Sequence, residues 1–128
     1  MPVTVTRQTF TARQLYSLRR LVLSAARRAG LSTQRSLQLV LAVNEAATNV
    51  IKHAGGRGRV QVVQEDRHRV IAVVSDQGPG LPERVNLTEP PLDATGGRGL
   101  WLIHRICDRV ELRSGARGTR IQLEMSLR

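Results

Sequence analysis

Two pairs of β-rich runs, each pair joined by only a few residues, constrain the fold of this chain more than any other feature. Residues 60–64 and 70–75 are rich in valine and isoleucine, and the polar stretch Glu65, Asp66, Arg67 and His68 between them reads as the turn of an antiparallel hairpin. A second pair, 109–113 and 119–125, is joined by a glycine-containing turn that ends at Gly118. A short opening strand is expected at 3–9, where Val3, Val5 and then Phe10 alternate loosely with polar residues. Leu15, Leu18, Val22, Ala25 and Ala29 recur at helical steps, so 11–29 reads as an amphipathic helix stopped by Gly30. A longer, more apolar helix runs from a cap at Ser32 or Thr33 to about Ala54, with Gly55 and Gly56 at its end, and a third covers 100–107. The order β-α-α-β-β-α-β-β, with hairpins at both β pairs, predicts an α+β fold. It is a two-layer sandwich of a mixed, mainly antiparallel sheet with helices on one face.

The 128 residues fit one domain spanning 1–128. Hydrophobic residues make up 41% and charged residues 23%, which excludes a disordered or fibrous chain. No uncharged stretch approaches the roughly 20 apolar residues of a membrane span. The N-terminus lacks a basic flank followed by an apolar run, so a cytoplasmic address and no membrane partner are expected. Cys107 is the sole cysteine, fitting a reducing compartment and excluding an internal disulfide. The formal net charge is +10, and nineteen of the twenty basic residues are arginine. Seven arginines and no acid lie within residues 1–44. Such a bias suits an anionic partner, an acidic protein surface included, or a solvated basic face. Direct nucleic-acid binding is disfavoured, because Phe10, Tyr16 and Trp101 are the only aromatics and no DNA-binding motif spacing is present.

Three elements carry chemistry. On the long helix, Glu45 and Asn49 are four residues apart and so share one face, about 6 Å apart along the axis. The carboxamide can offer a neutral oxygen to Mg²⁺ and the carboxylate can act as a base; an exposed polar pair is the plain alternative. The second element is Asp76, Gly78 and Gly80 in Ser-Asp-Gln-Gly-Pro-Gly at the end of a strand. Asp76 can accept a hydrogen bond from an exocyclic amine, and the glycines allow close backbone approach, although a simple turn uses the same residues. In the third, Gly97, Arg98, Gly99 and Leu100 open a helix, so free N–H groups and a cation can meet a phosphate; a plain glycine-rich loop is the alternative. Lys52 and His53 follow Asn49 by one turn and can face phosphates or solvent. A P-loop is excluded, since Lys52 is the only lysine and His53 follows it.

In order and spacing, Glu-x-x-x-Asn on a helix, Asp-x-Gly-x-Gly after a strand and Gly-x-Gly-Leu before a helix resemble the nucleotide-binding boxes of the ATPase family shared by Hsp90-type chaperones, gyrase B and histidine kinases. NEAATNVIKHA and GGRGLWLIHRICDRVE are similar to its small branch, the bacterial anti-sigma-factor serine/threonine kinases, and Gly118-Thr119 matches a late Gly-Thr. The resemblance spans nearly the whole chain. It implies ATP between helices and sheet, with Asp76 at the adenine amine, Thr119 supporting that end, Asn49 at Mg²⁺ and the phosphates, and the 97–100 backbone at the phosphates. It also implies Glu45 as general base toward a protein serine or threonine.

The expected function is therefore an ATP-dependent protein kinase that binds a sigma factor and phosphorylates an anti-sigma-factor antagonist, with homodimerisation implied by the same resemblance. A non-catalytic ATP-binding interaction module is the alternative from another class. The glycine-rich step after His53 and the brief 81–96 loop are shorter than in many relatives, which predicts a small lid. Cys107 shares a helix face with Leu100 and Ile103 and is expected to be a core thiol.

Overall fold

The computed structural model describes residues 2–53, 55–78 and 98–127, apart from the side chains of 53 and 98–100. Its elements are β1 (Pro2–Thr11), α1 (Leu15–Arg28), α2 (Thr33–His53), β2 (Arg57–Glu65), β3 (Arg69–Ser75), α3 (Arg98–Ile106), β4 (Arg109–Gly115) and β5 (Gly118–Ser126). The five strands form one sheet in the order β1-β2-β3-β5-β4, and all four pairings are antiparallel. The sequence reading allowed a mixed sheet. The antiparallel result follows from β5, which returns from its hairpin with β4 to pair with β3.

Local chemistry sets the element ends. The first strand runs to Thr11, two residues beyond its expected end, and the first helix begins at Leu15 rather than residue 11. Thr11 is extended, and its backbone N–H and hydroxyl both donate to Gln14 Oε1, at 2.7 and 2.8 Å, across a single 3₁₀ turn. That bond satisfies donors which a helix starting at Thr11 would leave open. At the far end of α1, Gly30 takes a φ of +108°, while Leu31 N–H reaches Ala26 O at 3.1 Å and Gly30 N–H reaches Arg27 O at 3.0 Å. This pair of bonds is a Schellman stop with buried Leu31 as its apolar contact. Ser32 rather than Thr33 caps α2, its Oγ accepting Arg35 N–H at 3.1 Å. Asp66 and Arg67, both at positive φ, are the central residues of a turn closed by His68 N–H to Glu65 O at 3.0 Å, within the three-residue connection between β2 and β3.

Strand alternation sends Phe10, Val60, Val62, Val70, Ala72, Val74, Ile121, Leu123 and Met125 toward the helices. There they meet Leu18, Val22, Leu39, Val43, Ala46, Ala47 and Val50 in one continuous core. Helix α2 lies between α1 and α3 and also touches β2, β3 and β5. That position explains its wide buried face, which takes in Ala42 and Ala46 beside Val43, Ala47 and Val50. The helices cover one face of the sheet, as expected; Ile71 and Val73 are buried on the other face, outside that core. Among the described residues no helix is long and apolar enough to cross a membrane.

Two predictions follow from the packing. A Cβ at Gly58 would lie 2.7 Å from Phe10 Cζ and 2.9 Å from Val50 Cγ1, so Gly58→Ala should cost about 1–3 kcal/mol by urea unfolding. Phe10→Leu should reduce that cost in a double-mutant cycle, because it shortens the obstructing ring. Cys107 is buried beyond the end of α3, and burial, with Asp108 adding to it, pushes its thiol up to about 12 from an ordinary 9.0. The native state therefore keeps the proton while the unfolded chain releases it. Stability should fall as pH rises from about 9 toward 12 in thermal melts, less so for Cys107→Ala, and alkylation at pH 8 should proceed only through unfolding.

Candidate nucleotide site

The Asp76 end of the sheet is built around one close backbone approach. A Cβ on Gly118, whose φ is +132°, would lie 2.0 Å from the Asp76 carbonyl oxygen, so only glycine fits. Asp76 N–H donates to Thr119 O at 2.9 Å. In return, Asp76 Oδ1 accepts Thr119 N–H at 3.3 Å and Gly78 N–H at 2.8 Å. Buried Thr119 shares a 3.1 Å hydroxyl hydrogen bond with Ser114. These bonds fix the carboxylate with one oxygen occupied. Oδ2 accepts no hydrogen bond among the described residues and remains available to an external donor.

Helix α2 reaches the same end of the sheet. Val50 packs at Gly58, Arg59 pairs with Ser75, and Asp76 follows Ser75. One turn before Val50, the half-buried Glu45 and Asn49 occupy a single i, i+4 row, and the exposed Lys52 continues that face. Thr48 turns its hydroxyl back to Asn44 O at 2.7 Å, so it is engaged with its own helix. Helix α3 starts at Arg98, two residues earlier than the 100–107 expectation, which places residues 98–100 in its first turn. Their N–H groups are therefore those that an α-helix leaves without intrahelical partners. Gly80 and Gly97 lie outside the described residues, and the side chains of His53, Arg98 and Leu100 are likewise not described.

The structure thus joins Asp76, Gly78 and Thr119 by hydrogen bonds and aligns Glu45, Asn49 and Lys52 on α2. A cleft of about 600 Å³ borders Asp76, lined also by Gly55, Arg57, Gly58, Arg59, Ser75 and Gly78. Glu45 and Asn49 do not line it. Two contributors were not singled out from sequence. Ser114 is identified by its register opposite Thr119, and Gly58 by its position opposite Phe10. Trp101 is half-buried with the Arg105 guanidinium 5.7 Å from its ring centroid, a cation–π contact on α3.

Comparison with known proteins places this geometry. Residues 9–125 match the histidine kinase-like ATPase domain family. The chain is 30% identical over 114 residues to the serine/threonine-protein kinase RsbT of Bacillus subtilis (strain 168), covering 84% of this chain and 85% of that one. Its fold is similar to a solved structure of the RsbU and RsbW domains of Rv1364c from Mycobacterium tuberculosis, with a TM-score of 0.66 and 16% identity. That match covers 94% of this chain and 31% of the other. The histidine kinase domain of the blue-light activated kinase EL346 from Erythrobacter litoralis gives a TM-score of 0.58 and 20% identity, over 88% of this chain and 64% of that one. The chain spans about a third of the first solved structure and just under two thirds of the second. With residues 9–125 matched to that domain model, and with a serine/threonine-protein kinase among its relatives, the chain belongs to the histidine kinase-like ATPase domain family.

Proposed function

We propose that the chain is an ATP-dependent serine/threonine protein kinase acting in the cytoplasm within a partner-switching, transcription-regulating circuit. Its substrate would be an anti-sigma-factor antagonist and its second partner a sigma factor, with a homodimer as the working assembly. The observation that carries this reading is the half-exposed Glu45–Asn49 row at the end of the sheet where one Asp76 carboxylate oxygen accepts no hydrogen bond among the described residues.

The donor set suits a nucleotide with its metal. Asp76 Oδ2 would accept from the adenine amine, beside the approach that Gly118 leaves open. Thr119, held by Ser114, would support the same end. The Asn49 carboxamide would supply an oxygen to Mg²⁺, and the first-turn N–H groups of α3 would face the phosphates, with Gly78, Gly80, Gly97, Arg98, Gly99, Leu100, Lys52 and His53 completing the proposed contacts. When bound, ATP supplies the phosphoryl group and Mg²⁺ neutralises its charge. The protein's task is then mainly positioning. Glu45 would accept the proton of the attacking serine or threonine hydroxyl on the partner, a role that suits a side chain on the helix yet outside the core.

Glu45→Gln should reduce phosphate transfer from γ-labelled ATP to the antagonist by about 10²–10⁴-fold. Because Glu45 is half-buried and outside the core cluster, stability should stay within about 0.5 kcal/mol and ATP titration should be unchanged. Transfer at the parental rate would remove Glu45 from the chemistry. Asp76 separates ligand from fold. Asp76→Asn retains an acceptor for Gly78 and Thr119, so ATP affinity should drop about tenfold or more while most stability remains. Asp76→Ala removes that acceptor and should also cost about 1–3 kcal/mol by thermal or urea unfolding.

A further inference from the structure

The face of the sheet away from the helices carries an uneven charge pattern that nucleotide binding does not require. Register places Thr9, Arg59, Ser75, Arg120 and Arg113 in one row across β1, β2, β3, β5 and β4. Neighbouring strands are about 4.8 Å apart, so Arg113 and Arg120 stand side by side and Arg59 follows roughly 10 Å further on. All three are exposed, and none makes an ion pair among the described residues. Arg7, on β1 opposite Gln61, adds another cation that makes no ion pair among the described residues.

The other end of the same face is balanced. Arg69 pairs with Glu65 at 2.7 Å and with Glu124 at 2.8 Å, and Arg109 pairs with Glu111 at 3.2 Å. Acids were therefore available on these strands but are committed elsewhere. Like charges directly opposite across a strand pair work against folding, and Arg113 opposite Arg120 is such a pair. Shallow clefts adjoin the row. One of about 320 Å³ is lined by Glu111, Arg113, Arg120 and Gln122, and the cleft at Asp76 includes Arg57 and Arg59.

Guanidinium groups are planar forks that bind carboxylates through paired N–H donors. The face carries no aromatic side chain on which a base could stack: Phe10 is in the core, Tyr16 on α1 and Trp101 on α3. A second copy of the chain would bring the same arginines toward themselves. We propose that the open face of the sheet, centred on Arg59, Arg113 and Arg120, docks a carboxylate-rich segment of a partner protein. This surface lies apart from the Glu45–Asn49 row and meets the Asp76 cleft at Arg59.

The test uses the full chain and a fluorescein-labelled peptide alternating Glu and Val, followed by anisotropy. The reversal R59E/R113E/R120E is compared with R19E/R20E/R28E, which changes the net charge equally but on α1. The sheet-face variant should lose about tenfold or more in affinity and the α1 variant under about threefold. Equal losses would reduce the effect to general attraction by a basic protein and overturn the proposal. Displacement of the peptide by a single-stranded oligonucleotide at lower concentration would assign the face to nucleic acid instead. Sedimentation showing that the wild type self-associates and the sheet-face variant does not would assign it to a second copy. Circular dichroism monitors folding, and R59Q/R120Q, which removes the like-charged pair, must give the same loss if the reversal unfolds.

Discussion

The contact between Gly118 and the Asp76 backbone is the constraint on which the candidate site depends. With a Cβ excluded at 2.0 Å, β5 can begin directly against the end of β3, and the paired bonds between Asp76 and Thr119 can form. That junction makes β5 the neighbour of β3 rather than leaving β4 and β5 as a detached hairpin. It also orients the Asp76 carboxylate, because Oδ1 is taken by the chain itself, while Oδ2 accepts no hydrogen bond among the described residues. One glycine therefore serves both sheet order and the orientation of the Asp76 carboxylate.

Helix α2 supplies the second half of the arrangement by dividing its circumference. The side bearing Leu39, Ala42, Val43, Ala46, Ala47 and Val50 is committed to the core between α1, α3 and the sheet. Glu45 and Asn49 occupy the remaining arc. Small alanines let the helix sit close to its neighbours, and Gly58 lets it do so at the sheet end as well. The polar pair is thereby carried on a rigid element rather than on a loop, which suits the positioning role proposed for it. Arg35 anchors the start of this helix to Asp108 at 2.5 Å, and the same Asp108 oxygen accepts Ser126 N–H at 2.7 Å. The start of the helix is thus linked through Asp108 to β5, while its far end packs at Gly58 on β2.

Hairpins, helix stops and the order of elements were legible because they depend on nearby residues: Gly30 with Leu31, Ser32 with Arg35, and the turn at Asp66 and Arg67. The Glu45–Asn49 spacing was legible for the same reason. The extension of β1 to Thr11 was not, since 15–29 has strong helical periodicity and the Thr11–Gln14 bond overrides it only at the boundary. Other features depend on partners far along the chain. Ser114 meets Thr119 only once the β4–β5 register is set, Gly58 meets Phe10 only once β1 pairs with β2, and the arginine row exists only when five strands align. Sequence shows the excess of arginine but not which of them end up side by side.

The placement of Glu45 has an evolutionary consequence. Its side chain belongs to neither the apolar core nor the hydrogen-bonded Asp76 junction. In the role proposed for it, a single codon change there would silence transfer while leaving the core and the Asp76 junction intact. On that proposal, a duplicated copy would stand one substitution away from a competitor that holds the same partner without modifying it.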